Sequence, residues 1–317
     1  MTSINHHVAV EVPATSANLG PGFDCLGIAL NLYNTVKMTV TGELQPERPN
    51  DGPTLTIQVS GVDANKIPRD TSNLVYQTAT LVFERAGLWP AQLTIEQEGQ
   101  VPVGSGLGSS SAAVVAGLFA ANTLTGNTLT RHELLRMAAA IEGHPDNVAP
   151  AILGGLVLGV MSGVEDGDQT LALECLRTPL LKAVVALPEF HFPTLEARSV
   201  LPDTVARRDA IHNAGRVALL VHALTTGNYG CLRTAMDDKL HQPYRLPLIP
   251  GATEAMAAAY EAGAAGVALS GAGPSLIAFA PENHTAIAGA MAAAFADAGL
   301  PSRTWSLEVE PQGAHLL

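Results

Sequence analysis

Apolar and polar residues alternate with a period of two through Val8 to Val12, Val36 to Thr41, Leu55 to Ser60 and Leu93 to Gln97. Such alternation puts one set of side chains on each face of a strand, and the last three predict half-buried antiparallel strands. Cys25 to Leu32 reads as a strand or a short helix. Helical spacing takes over from Asn73 to Arg85, with Leu74, Thr78, Leu81 and Val82 in a stripe. It returns in the small apolar run Ala113 to Ala121, where Val114, Val115, Leu118, Phe119 and Leu124 recur and Gly126 is placed to stop the helix. Thr130-Arg131-His132-Glu133 is a capping box that opens a third helix, with Leu134, Met137, Ala138 and Ile141 on one face and Gly143 suited to a left-handed cap.

The second half opens with a buried strand, Leu181 to Leu187, followed by a long helix around Asp203 to Thr225 with Ile211, Ala214, Ala218 and Val221 in a stripe. Ala252 to Ala262 and His284 to Ala298 are alanine-rich helices. Between them Gly266 to Leu269, Ser270 to Pro274 and Ser275 to Ala280 read as strand, turn and strand, and Trp305, Leu307 and Val309 mark a last edge strand. A chain of 317 residues suits two domains at roughly 150 residues each, and the acidic, glycine-rich Ser162 to Thr170 is the expected boundary. The expected division is 1–165 and 166–317, each half an α+β sandwich of a mostly antiparallel sheet with helices on one face.

With 47% hydrophobic and 15% charged residues the chain is globular rather than disordered. Its longest apolar runs, Ala112 to Ala121 and Ala151 to Met161, fall short of the ~18 residues that span a bilayer, so no membrane partner is expected. Met1 to His7 carries no basic or apolar leader pattern, and the three cysteines, Cys25, Cys175 and Cys231, are odd in number and widely spaced. Reduced thiols and a cytoplasmic location are the expectation. A net charge of −12, with no basic cluster beyond Arg207-Arg208, argues against a nucleic-acid surface. None of the ten histidines form a short-spaced ligand pair. An anionic ligand would need a few placed groups and a metal.

Those placed groups begin with Pro102-Val103-Gly104-Ser105-Gly106-Leu107-Gly108-Ser109-Ser110-Ser111-Ala112. Alternate glycines allow positive φ and close backbone approach, and the serines offer N-cap oxygens to the following helix. The amides of a helix's first turn receive an anion well, which points to phosphate at Gly104 to Ser111. The same residues also describe a tight turn with no ligand. A P-loop is excluded because no lysine lies between Lys66 and Lys182, and a dinucleotide fingerprint because Ser109 replaces its third glycine. Two further segments stand out: Pro13 to Asp24, too rich in glycine, proline and small polar groups for a regular element and so a structured loop, and His144 to Pro150, a polar turn.

Together these motifs resemble the GHMP small-molecule kinase superfamily. Pro102 to Ser110 matches its P-x-x-x-G-L-G-S-S loop, and Leu269 to Ser275 its C-terminal glycine-rich turn. Pro13 to Asp24 and Glu142 to Pro150 resemble the homoserine kinase branch in particular. The resemblance implies an N-terminal ribosomal-protein-S5-domain-2-like sandwich and a C-terminal ferredoxin-like sandwich. It implies phosphoryl transfer from ATP to the side-chain hydroxyl of L-homoserine, in threonine synthesis. Pro102 through Ala112 would cradle the nucleotide, with Asn73 near the base, although a helix N-cap explains Asn73 equally well. Ser110 and Glu142 would hold Mg²⁺; the plain alternative for Glu142 is an exposed helix-end carboxylate.

By the same resemblance Arg198 and Arg245 clamp the substrate carboxylate, a task suited to the guanidinium fork. Asp24 would meet the ammonium, Asn18 and Asn147 the hydroxyl, and His144, Thr194 and Gly271 would complete the substrate pocket. Asn18, Asp146 and Asn147 are the candidate catalytic residues. Whether any general base operates stays open among His144 and Asp146, since an amide such as Asn147 is not basic. Pro193 departs from the family pattern, which commonly has serine there. A different alcohol kinase of the superfamily and an inactive nucleotide-binding module are the rival readings. The alanine-rich surface suits a homodimer.

Overall fold

A computed structural model of the chain describes residues 5–165, 168–179 and 181–317, without the side chains at 5, 162–165, 168–170, 194 and 195. The first elements in chain order are β1 (Asn5–Ala17), β2 (Leu26–Thr41), β3 (Thr54–Gly61), α1 (Leu74–Ala86), β4 (Gln92–Gly99), α2 (Ser109–Leu124) and α3 (Arg131–Glu142). There follow α4 (Val148–Leu153), β5 (Leu156–Glu165), β6 (Asp168–Leu176), β7 (Lys182–Pro188), α5 (Thr194–Ser199), α6 (Arg207–Thr226), α7 (Leu232–Ala235) and α8 (Gln242–Arg245). The chain closes with α9 (Ala252–Glu261), β8 (Gly266–Leu269), β9 (Leu276–Ala280), α10 (His284–Asp297), β10 (Ser302–Glu308) and β11 (His315–Leu316).

The larger sheet runs β11-β1-β2-β4-β3, with β5 on the near end of β2 and β6 beyond it. Its frame is the long β1–β2 pair, whose register shifts at a bulge between Pro13 and Ala14. Leu26 to Thr41 is one continuous strand, which resolves the choice left open at Cys25 to Leu32. Gly27 lets β2 pass under the polar turn, since a Cβ there would lie 1.6 Å from the Asp146 carbonyl oxygen. The expectation of antiparallel pairing fails at one edge. β3 and β4 are parallel, because α1 carries the chain across between them. Val10, Met38 and Ile95 of the sheet bury against Val82, Phe83, Val115 and Leu118 of the helices.

The smaller sheet, β10-β7-β9-β8, is antiparallel throughout. It is covered on both faces rather than one. Phe295, Met291 and Ile287 of α10 and Ala255 and Ala259 of α9 pack on Val184 and Ala278, whereas Leu220 and Leu224 of α6 pack with Val185 and Phe279 and with Leu26, Ile28 and Leu30 of β2. That second core belongs to both sheets. The boundary expected at 165 and 166 falls inside the β5–β6 hairpin, whose turn includes residues outside those described; the chain leaves the larger sheet only after Leu176.

Helix starts and stops follow local chemistry where it is strong. Thr130 and Glu133 form the capping box, and Gly143 closes α3 at φ 84°. Most of the expected stripe on α6 faces outward instead: Ile211 is 66% exposed, with Ala214 and Ala218 also exposed, while only Val221 of that set packs partly against the core, and Asn213, Leu220, Ala223 and Leu224 are the buried residues. Two leucines remove more apolar area from water than alanines do, and they decide which face turns in. In urea unfolding, Leu220→Ala is expected to lower stability by about 2–5 kcal/mol, while Ile211→Ala stays within ~0.5 kcal/mol of wild type; equal losses would return the helix to the expected face.

Candidate active site

Gly104, Gly106 and Gly108 all take positive φ, at 68°, 80° and 70°, as the alternate spacing predicts. Each has a different reason to lack a side chain. A Cβ on Gly108 would lie 2.0 Å from Thr15 Oγ1, and one on Gly106 would lie 2.3 Å from the Ser270 carbonyl, whereas Gly104 opens into free space. The loop is thus wedged between the end of β1 and the turn after β8. The Thr15 amide donates to the Leu107 carbonyl at 3.1 Å, the Gly271 amide to the Ala17 carbonyl at 3.1 Å, and the Ser275 amide to the Ser105 carbonyl at 3.3 Å. Ser270 Oγ lies 2.7 Å from the Gly106 carbonyl and 2.8 Å from Ser16 Oγ.

Gly108 itself is the N-cap of α2, and no side chain caps that helix. Ser109, Ser110 and Ser111 are its first helical residues rather than its N-cap oxygens, which corrects the expectation and leaves the first-turn amides facing a crevice. Two cavities meet there. One, about 130 Å³, is lined by Gly104, Ser105, Gly106, Gly108 and the three serines, and by Asn18, Phe23, Asp24, Glu142, His144, Asp146, Asn147, Arg198, Arg245 and Gly271. The other, about 240 Å³, shares Gly104, Ser109 and Ser110 and is walled by Ile67, Pro68, Leu74, Val75, Val103 and Ala112. Pro102 and Leu107 are buried behind the loop, Leu107 in the core shared by both sheets.

Asn73 lines the larger cavity with its amide already engaged. Its Oδ1 accepts from the Val75 and Tyr76 amides and from Gln97 Nε2, and its Nδ2 donates to the Pro68 carbonyl. The cap reading of Asn73 is therefore the one its hydrogen bonds satisfy. Asn18, left-handed at φ 70°, accepts from the Asp24 amide and donates to the Gly271 carbonyl, both at 3.0 Å, tying β1's exit to the glycine turn. Asn147 Oδ1 accepts from Thr15 Oγ1 at 2.8 Å. The side chain of Thr194, at the start of α5, lies outside the described residues.

Charges in the smaller cavity are answered in pairs. Arg198 reaches Asp24 at 2.7 Å, and His144 Nδ1 hydrogen-bonds Asp146. Burial works against the His144 cation, but the hydrogen bond and the charges of Asp146 and Asp24 hold its pKa above the ordinary value. Arg245 is nearly fully buried, and its partners are uncharged: Nε donates to the Ala197 carbonyl at 2.8 Å and Nη1 lies 3.2 Å from His241 Nδ1. Burial, with the Arg198 charge beside it, depresses its pKa to about 10. Both guanidinium carbons lie over one ring, Phe23, at 5.3 Å for Arg245 and 5.6 Å for Arg198. Such a pair asks for an anion.

Ser110 Oγ lies 3.0 Å from Glu142 Oε1, two hard oxygens beside the uncapped helix, a donor set that fits Mg²⁺. Among the described residues one group of three metal-type ligands also gathers here, Asp24, His144 and Asp146, but its carboxylates already face Arg198 and His144. The sequence reading missed Phe23, Thr15 and the buried Asp238-His241 segment. Phe23 and Thr15 lie inside a motif already singled out, and the HQPYR run around Arg245 carried the remaining signal.

The GHMP kinases N terminal domain family matches residues 73–155, and the GHMP kinases C terminal family matches 220–297. The chain is 45% identical over 316 residues to a homoserine kinase of Nostoc punctiforme, covering 98% of this chain and 99% of that one. It is 46% identical over 291 residues to a homoserine kinase of Moorella thermoacetica, covering 92% and 93%. The crystal structure of homoserine kinase from Cytophaga hutchinsonii superposes with a TM-score of 0.84 at 32% identity, over 98% of this chain and 97% of that one.

Two expectations test this geometry. Gly104→Ala should lower stability by about 1–2 kcal/mol, the strain of a left-handed alanine alone, and Gly108→Ala by clearly more, read by urea unfolding. The stability of wild type over His144→Gln should be fully present below pH 6.5, the ordinary imidazole value, and should fade as pH rises through the raised pKa; an advantage that grows with pH would refute the cationic pair.

Proposed function

The chain belongs to the homoserine kinases of the GHMP kinase family, and from that premise we propose how its residues carry out phosphoryl transfer from ATP to the side-chain hydroxyl of L-homoserine. The larger cavity takes the base and ribose between Ile67, Pro68, Leu74 and Val75. The phosphates run along the glycine loop to the start of α2, where amides of Gly108 to Ser111 stabilise charge without needing to reorganise. Ser110 and Glu142 would hold Mg²⁺, which when bound neutralises phosphate charge.

The amino acid occupies the smaller cavity. Arg198 and Arg245 receive its carboxylate, Asp24 its ammonium, and Asn18 and Asn147 direct the hydroxyl at the phosphate. The observation that carries this reading is the convergence of two guanidiniums on one aromatic ring, a few residues from Asp24 and facing the loop. An acceptor with both a carboxylate and an ammonium satisfies that set, and a neutral sugar or a hydroxy acid does not. Phosphoryl transfer asks mostly for alignment and charge stabilisation, which these groups supply. Asp146, hydrogen-bonded to His144 and buried, orients the polar turn, and the hydroxyl proton passes to the transferred phosphoryl group. A reducing, cytoplasmic setting accords with the three free cysteines, and the product feeds threonine synthesis.

The purified chain, given ATP and Mg²⁺ with homoserine, mevalonate or galactose, should turn over homoserine alone. Brisk turnover of another alcohol with none of homoserine would overturn the acceptor assignment, and the absence of any nucleotide turnover would favour an inactive binding module.

A further inference from the structure

His241 has no role in the transfer just described, yet it is completely buried beside the groups that perform it. Its Nε2 lies 2.8 Å from the Gly20 carbonyl, which only accepts, so the ring proton sits on Nε2. Its Nδ1 lies 3.2 Å from Arg245 Nη1, which only donates, so Nδ1 keeps its lone pair. The neutral tautomer satisfies both neighbours, and a doubly protonated ring would set N–H against N–H. The ring also stacks on Phe23 at 5.2 Å and 25°. The same Phe23 lies under both guanidiniums.

The surroundings hold that imidazole in place. Asp238 Oδ2 lies 3.6 Å from Nε2 and accepts the amides of His241 and Gln242 at 2.9 and 2.7 Å. Its Oδ1 accepts from Asn213 Nδ2 on α6 at 2.7 Å, and Asn213 also donates to the Pro21 carbonyl. Gly20 is itself pressed on Met236, whose carbonyl oxygen would lie 2.5 Å from a Cβ. Arg245 is therefore gripped from two sides by neutral acceptors, Ala197 O and His241 Nδ1, while it lines the smaller cavity.

We propose that His241 is a positioning residue for acceptor binding: through Nδ1 it fixes Arg245 at the spacing from Arg198 that one carboxylate bridges. The inference rests on the homoserine reading above. Homoserine turnover by wild type is therefore measured first; its absence would overturn that reading and this inference with it.

With wild type active, His241→Asn keeps an acceptor near the Nδ1 position, whereas His241→Gln keeps a donor near Nε2 and loses that acceptor. The Gln and Leu variants should raise KM for homoserine about tenfold, with kcat and KM for ATP within about twofold, and the Asn variant should stay close to wild type. In an Arg245→Met background, His241→Gln should add little, because the two act through one contact. The inference falls if Gln preserves KM better than Asn does, if the double-mutant effects add, or if kcat and KM for ATP change in parallel with KM for homoserine.

Discussion

A glycine-rich backbone held between two other backbones is the constraint on which this structure depends. Leu107, Ser105 and Gly106 offer their carbonyls to Thr15, Ser275 and Ser270, so the loop's outer side is fully tied down. Its amides at the start of α2 are left facing the crevice, with no side chain to cap them. No residue with a Cβ fits at Gly106 or Gly108 without moving the Ser270 carbonyl or the Thr15 hydroxyl. Three motifs separated by more than 250 positions, from Thr15 to Ser275, become one site because each supplies a hydrogen-bond partner for the next. In the proposed reading, rigidity at this point lets fixed dipoles act on phosphate charge.

The site sets two arginines and a histidine among three carboxylates within an acidic protein. Asp24 and Asp146 are each matched by a cationic or protonatable partner, so the carboxylates contribute shape and orientation without leaving the cavity strongly negative. Arg245 stands apart with neutral hydrogen-bond partners, its pKa lowered by burial and then by the Arg198 charge beside it. In the proposed reading, an incoming carboxylate offsets the repulsion and part of the cost of desolvation.

How much of this was legible in the sequence depended on whether the signal was local. Thr130, Glu133 and Gly143 name the ends of α3 because capping chemistry is complete within four residues of each end. Asn73 carried two readings, a place near the base and a helix cap, and its hydrogen bonds satisfy the cap. The glycine loop's left-handed backbone was legible because glycine takes positive φ without steric cost. The face of α6 was only partly legible, because Ile211, Ala214, Ala218 and Val221 form a stripe by spacing, and the larger apolar area of Leu220 and Leu224 against β9 and β2 turns a neighbouring face inward. Strand direction at β3 and the late crossover after Leu176 are long-range facts of the same kind. Phe23 and His241 went unnoticed because neither residue type signals a ligand by itself; their meaning arises only when the loop after β1 meets α8.

Leu26, Ile28 and Leu30 share a single apolar cluster with Leu224 and Phe279, so the two sheets are glued along a continuous seam beneath the crevice. Hinged opening of one half against the other would tear that seam and wet both surfaces. The burial of that seam therefore couples the stability of the two sheets, since separating them would expose both faces at once.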